Sequence, residues 1–180
     1  METGLIGLYW RARRASLDEC ADRCFRSLTS LQTHGYTSFF LKGRSRKQAL
    51  ARPFEVSLSN VRELLEKGVN RDDTDRKPIP ELGFSLALWS GGSDGETYAV
   101  SMHCGCYSPW VGNNFIVNLP GTGPFSLASS LPAALASFRQ LIDIWQPDQG
   151  VVCDSSEIRW ENQQLSESMK AYSRYPEDPT

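Results

Sequence analysis

The chain has 180 residues and a mass of 20.2 kDa, with 40% hydrophobic and 22% charged residues. That is one domain on a soft prior of about 100–200 residues, with a core large enough to stand without staples, and the composition excludes wholesale disorder and collagen-like architecture. The net charge of −2 conceals an uneven spread: residues 11–52 hold ten Lys/Arg against three acids, and residues 53–180 hold nine against seventeen. That spread admits a phosphate-binding stripe or an acidic docking surface as well as balanced charges on one folded surface.

Residues 5–10 (LIGLYW) read as an opening strand, and the arginines after it reverse the order of a secretory signal. No apolar run approaches the roughly 18 residues of a membrane helix, so the expectation is a cytosolic protein. Ser16 and Glu19 have capping-box spacing. Leu17, Cys20, Ala21, Cys24, Phe25, Leu28 and Leu31 then trace one apolar helical face that stops at His34-Gly35. Residues 36–41 (YTSFFL) read as a second strand, followed by a basic connection over residues 42–53 with a helical turn around Gln48–Ala51. Ser57 or Ser59 caps a second helix with Leu58, Val61, Leu64 and Leu65 inward and Gly68 as its stop. Residues 69–82 (VNRDDTDRKPIPEL) form a polar, proline-marked surface loop.

Strands are expected at 84–90, 97–104 and 113–119, the first pair closed into a hairpin by GGSDGE at 91–96 and the second joined by GCYSPWVG at 105–112. Ser130 is expected to cap a third helix with Pro132 in its first turn and Leu131, Leu135, Phe138, Leu141, Ile142 and Trp145 inward. Residues 149–153 (QGVVC) make a last strand, and 154–180 a peripheral C-terminal helix or tail. The pattern predicts one α+β domain over 1–180: a mainly antiparallel sheet of about five or six strands with helices packed on one face.

Enzyme chemistry finds little support in these residues. Cys20 and Cys24 stand one helical turn apart, but they complete the apolar stripe and read as core. His103 and Cys104 are strand neighbours pointing to opposite faces, and Cys104 with Cys106 lacks two further ligands at zinc spacing. The five cysteines (Cys20, Cys24, Cys104, Cys106, Cys153), with no export signal, read as reduced thiols. No phosphate loop or nucleophile elbow is present. No catalytic residue, cofactor or metal site is expected.

Two features suit a binding surface. The 69–82 loop carries Asp72, Asp73, Asp75 and Glu81, and the 105–112 loop offers Tyr107 and Trp110 beside Pro109, amphipathic anchors of the type enriched at interface hot spots. Competing readings are a nucleic-acid-binding module using Arg11, Arg13, Arg14, Arg44, Arg46, Lys47 and Arg52, and a non-catalytic scaffold domain that pairs through an exposed sheet edge.

Beyond single motifs, the chain resembles the immunity protein 52 family over roughly residues 5–155. The resemblance is carried by Tyr9-Trp10, ECADRC at 19–24, GRSRKQAL at 43–50, LLEKGVNRDD at 64–73 followed by ELG at 81–83, and Trp145 with Pro147. It implies a bacterial cytoplasmic immunity protein that binds and neutralises a cognate toxin with a restriction-endonuclease-fold nuclease domain, in some cases one delivered by type VI secretion. It implies inhibition by binding, no catalytic residues to carry over, no membrane partner and no direct contact with nucleic acid. A homo-oligomer is left open. An acidic patch could meet the basic rim of a nuclease cleft, which makes Asp72, Asp73, Asp75, Glu81, Tyr107 and Trp110 the candidate toxin-binding residues.

Overall fold

The structure is a computed structural model that describes residues 3–41, 52–91 and 96–154. The turn expected at Gln48–Ala51, the centre of the 91–96 turn and the terminal segment after residue 154 lie outside the described residues. The elements in chain order are β1 (Gly4–Trp10), α1 (Leu17–Thr33), β2 (Phe40–Leu41), α2 (Leu58–Lys67), a 3-10 turn (Pro80–Leu82), β3 (Phe84–Trp89), β4 (Ala99–Cys104), β5 (Asn113–Leu119), α3 (Leu127–Trp145) and β6 (Gln149–Asp154). The six strands form one antiparallel sheet in the order β2-β3-β4-β5-β1-β6. This is the expected α+β class.

Register decides which residues share a face. Ile6 lies opposite Val117 and Val152, Val117 opposite Val100, and Val100 opposite Leu88. With Leu8, Trp10, Phe115, Met102 and Leu86, these residues form the face covered by the helices, and nearly all are buried. Alternation turns the intervening residues to the opposite face. There Tyr9, Asn114, Ile116, Ser101, Ala87 and Val151 lie partly or largely exposed, with no Asp, Glu, Lys or Arg from β3 to β6.

The first two helices follow their sequence signals. Ser16 Oγ accepts from the Glu19 N–H at 3.2 Å, while the Glu19 carboxylate accepts from the Ser16 N–H at 2.8 Å. Ser57 caps α2 through the Asn60 N–H. At the end of α2, Gly68 lets the helix touch β3: a Cβ there would sit 1.8 Å from the Ser85 carbonyl oxygen, and Ser85 donates to the Gly68 carbonyl from both its N–H and its Oγ.

Three expectations need correction. The strand expected over 36–41 shrinks to Phe40–Leu41, because Tyr36 and Phe39 turn inward onto Tyr98. Tyr98 Oη donates to the Ser38 carbonyl at 2.7 Å and accepts the Ser38 N–H, so this segment is tied to one side chain rather than to a ladder. The third helix starts earlier than expected, with Ser126 rather than Ser130 at its cap. Ser130 instead sits at a kink with φ −115° and ψ 15°. The kink lies two residues before Pro132, which has no N–H to return to the preceding turn and crowds it.

The buried side of α3 differs too. Leu127, Ser130, Ala134, Ser137, Leu141 and Trp145 face inward, while Leu131, Leu135 and Ile142 are 44%, 38% and 36% exposed. Small residues at 134 and 137 let the helix settle close to the sheet and α1, a spacing the large aliphatics would prevent.

Trp145 is where three elements meet. Its ring stacks on Trp10 of β1 at 4.9 Å between centroids, and its indole N–H donates to Ser27 Oγ of α1 at 2.8 Å. Replacing Trp145 by Ala should cost about 3–5 kcal/mol in urea unfolding. Ser27→Ala, which leaves the buried indole N–H without its acceptor, should cost about 1–3 kcal/mol.

Candidate functional site

The end of the sheet at which β4 passes to β5 carries a loop, residues 105–112, held from three sides. Asn113, fully buried at the start of β5, accepts the Cys106 N–H at 2.9 Å and donates to the carbonyls of Cys106 (3.0 Å) and Arg11 (2.9 Å). One amide thus joins the loop to the segment leaving β1. The Glu81 carbonyl accepts from the N–H groups of Tyr107 (3.0 Å) and Ser108 (3.1 Å), docking the loop on the 3-10 turn. On the third side the His103 ring lies between the carbonyls of Leu82 and Gly112. A neutral imidazole donates to one of these oxygens and an imidazolium to both.

Gly83, at φ +64°, completes the base, since a Cβ there would lie 2.3 Å from the Cys104 carbonyl oxygen. What protrudes from this clamp is Tyr107, 37% exposed, and Trp110, 84% exposed.

The loop separates its two aromatics into different grooves. Tyr107 lines a groove of about 740 Å³ with Arg14, Glu19, Arg71, Pro78 and Pro80. Trp110 lines another of about 900 Å³ with Tyr9, Asn114, Asp148 and Gln149. The second groove is continuous with the uncharged sheet face, because Tyr9, Asn114 and Gln149 belong to that face.

The expected carboxylates are all exposed, but they do not line these grooves. Asp72 is spent within its loop. It accepts the N–H of Thr74 at 2.7 Å and of Asp75 at 3.3 Å, bonds that hold its carboxyl below the ordinary range. Asp75 pairs with the Lys77 ammonium at 2.7 Å and accepts its N–H, again lowering its pKa. Arg71, Arg76 and Lys77 interleave with Asp72, Asp73 and Asp75, so the loop tip is balanced rather than acidic. Of the four expected carboxylates, Asp73 and Glu81 are the two whose side chains take no part in this internal bracing.

The basic stripe is partly used in building the fold. The Arg13 guanidinium donates to the carbonyls of Trp145 (2.9 Å) and Gln146 (3.0 Å), capping the negative end of α3. Arg14 lies 5.3 Å above the Tyr107 ring. Arg52 is exposed, and Arg44, Arg46 and Lys47 lie outside the described residues. These structural roles, like the Asn113 clamp, were missed in the sequence. Polar residues at a strand end signal a turn, not which carbonyl they will meet.

Cys20, Cys24 and Cys104 come together in the core, and Cys106 is buried separately in the clamp, on Asn113 and the Val111 carbonyl. The Cys104 thiol is pushed up by its hydrogen bond with Cys20 and by burial, and the Cys24 thiol by burial and by Cys20. Among the described residues no group of three or more His, Cys, Asp or Glu is arranged to hold a metal ion, and no helix is long and apolar enough to cross a membrane.

The family model for immunity protein 52 matches residues 2–173. The chain belongs to the immunity protein 52 family. No curated protein sequence gives a significant match. Immunity proteins are generally non-catalytic and have a toxin as partner, so membership directs attention to surfaces rather than to pockets for chemistry. The matched span includes every element described above, from β1 to β6.

The family member's buried thiols set a checkable alkaline limit. Native Cys24 and Cys104 hold their protons above the pH at which unfolded thiols lose them, near 8.5. Tyr98, pushed up to about 12 by burial, acts in the same direction. Stability from these groups is complete below the unfolded values and falls as pH rises beyond them. Denaturant midpoints should therefore decline from about pH 9 upward. At neutral pH an aromatic disulfide reagent should titrate Cys153 first and release the other four thiols on unfolding.

Proposed function

We propose that this immunity protein neutralises a nuclease toxin in the bacterial cytoplasm by direct binding, through the clamped loop end of its sheet, with Trp110 as the principal anchor. The observation that carries this reading is a tryptophan 84% exposed on a loop fixed by a buried amide, a histidine and two backbone bonds. A large aromatic held rigidly in water contributes contact area to a complex with little further ordering cost.

The toxin class follows from the resemblance, in which the partners carry a restriction-endonuclease-fold domain, some of them delivered by type VI secretion. Charge contributes at the rim: Asp73 and Glu81 can meet the Lys/Arg border of a nuclease cleft and speed encounter. The uncharged face beside Trp110 suits the centre of such an interface, since interface cores are depleted in charge. An interface of standard size takes about 800 Å² from each partner.

The test is co-expression with the toxin domain encoded by the adjacent gene, scoring survival and co-purification. Rescue with a stable complex is the expected result. Trp110→Ala should weaken the complex by about 2 kcal/mol or more, some 30-fold, with Tyr107→Ala smaller. The Asp73→Lys/Glu81→Lys pair should act chiefly on the association rate and on its salt dependence. Wild-type affinity in folded Trp110→Ala protein would remove the anchor role, and killing despite abundant folded wild-type protein would remove the pairing.

A further inference from the structure

Among the described residues the sheet ends in an unpaired edge under an apolar overhang. Among the described strands β6 pairs with β1 alone, so residues 149–152 present an outer edge. That stretch, Gln-Gly-Val-Val, carries no charge and no proline of the kind that usually blunts an edge strand, and the one charge of β6, Asp154, stands at its far end.

Above it runs α3, whose two flanks are unlike. One flank, with Gln140 and Ile144, meets α1 along Phe25, Thr29 and Ser30. Leu131, Leu135 and Ile142 follow one another at helical spacing on the opposite flank, exposed. Phe138, in the same stripe, already lies on β6: a Cβ on Gly150 would sit 2.8 Å from its ring. The exposed stripe therefore projects past the edge strand, over the place where a next strand would lie.

We propose that a second copy of this chain fills that place, β6 pairing antiparallel with its two-fold mate so that the two sheets become continuous and the two α3 stripes pack together. The dimensions fit. Helix α3 contacts both β1 and β6, which sets its axis about half a strand spacing, ~2.4 Å, inside β6. The two-fold axis lies the same distance outside β6. The two α3 axes then stand roughly 10 Å apart, within the 8–10 Å range of packed helices to the precision of the estimate.

An isologous contact also matches each stripe with an identical apolar stripe, whereas an unrelated strand would have to supply its own. The contact measures roughly 25 Å along the helix and roughly 20 Å through the two layers, on the order of 500 Å² per copy. That is near the lower bound for a specific interface, which places the dimer among the weak, reversible ones. The Trp110 groove touches β6 only at Gln149, and the antiparallel arrangement puts the two grooves at opposite ends of the shared edge.

Sedimentation velocity with light scattering across the micromolar range tests this. A concentration-dependent dimer is expected. Leu135→Arg with Ile142→Arg should weaken it at least tenfold, and the milder Leu135→Gln with Ile142→Gln should do so in the same direction if the arginine pair folds poorly. Leu58→Arg, at a site 47% exposed on α2, should leave the dimer intact. Amide exchange at residues 150–152 should slow as the dimer forms and should not slow in the double variants.

A wild-type chain still monomeric at hundred-micromolar concentration overturns the proposal, as does a dimer indifferent to both pairs of substitutions. Protection of residues 150–152 in a wild-type monomer would assign the edge to the chain itself. Loss of toxin binding in the double variants, with the wild type monomeric, would assign the stripe to the toxin. Either result refutes the dimer.

Discussion

The indole of Trp145 is the contact on which the arrangement of layers depends. Stacking on Trp10 fixes the end of α3 over β1, and the bond to Ser27 fixes α1 beside it. The carbonyl of the same residue receives the Arg13 guanidinium, which brings in the chain leaving β1. An aromatic stack, a buried polar bond and a helix cap thus converge on one residue. Each is modest alone, but the stack and the indole bond share the ordering of a single side chain, so its entropy is lost once for two gains, and the cap holds the backbone beneath it.

The segment held by Arg13 is also the one that Asn113 reaches through the Arg11 carbonyl. Core and surface are therefore linked by a short path: Trp145 to Arg13, the 11–13 segment to Asn113, and Asn113 to the 105–112 loop. The loop has no regular secondary structure, yet its base is bonded to β5, to the β1 exit and to the 3-10 turn. A scaffold of this kind lets a surface loop vary at its tip while its roots stay constant.

Sequence patterns gave the elements with strong local signals and failed where tertiary packing chose between equivalents. The box at Ser16 and Glu19, the cap at Ser57, the alternation in β3 to β5 and the terminal β6 were all readable, and so was the class of fold. The inner face of α3 was not. Leucines at 131 and 135 satisfy an amphipathic pattern as well as Ala134 and Ser137 do, and only the closeness of the sheet selects the small residues. Strand β2 was over-extended because Tyr36 and Phe39 have strand propensity, while Tyr98 gives their backbone another partner. At the candidate site, the exposure of Tyr107 and Trp110 agrees with their composition and loop placement. The balanced state of the aspartate loop depends on Asp72 turning back on its own backbone, and the role of Tyr9 depends on which face β1 turns outward.

The order of strands has a consequence for how the molecule comes into being. The earliest described strand, β1, lies between β5 and β6, so its first neighbour is made only after α1, α2 and the strands β2 to β4, and its second only after α3 as well. During synthesis β1 waits unpaired while the chain from Trp10 to Asn113 is added, on the order of ten seconds at ordinary rates of chain growth. Its apolar residues Ile6, Leu8 and Trp10 must be sheltered through that interval by α1 or by a chaperone. Closing so long a loop makes folding slow relative to stability. A cell that relies on this protein must therefore complete nearly the whole described domain before the sheet can close.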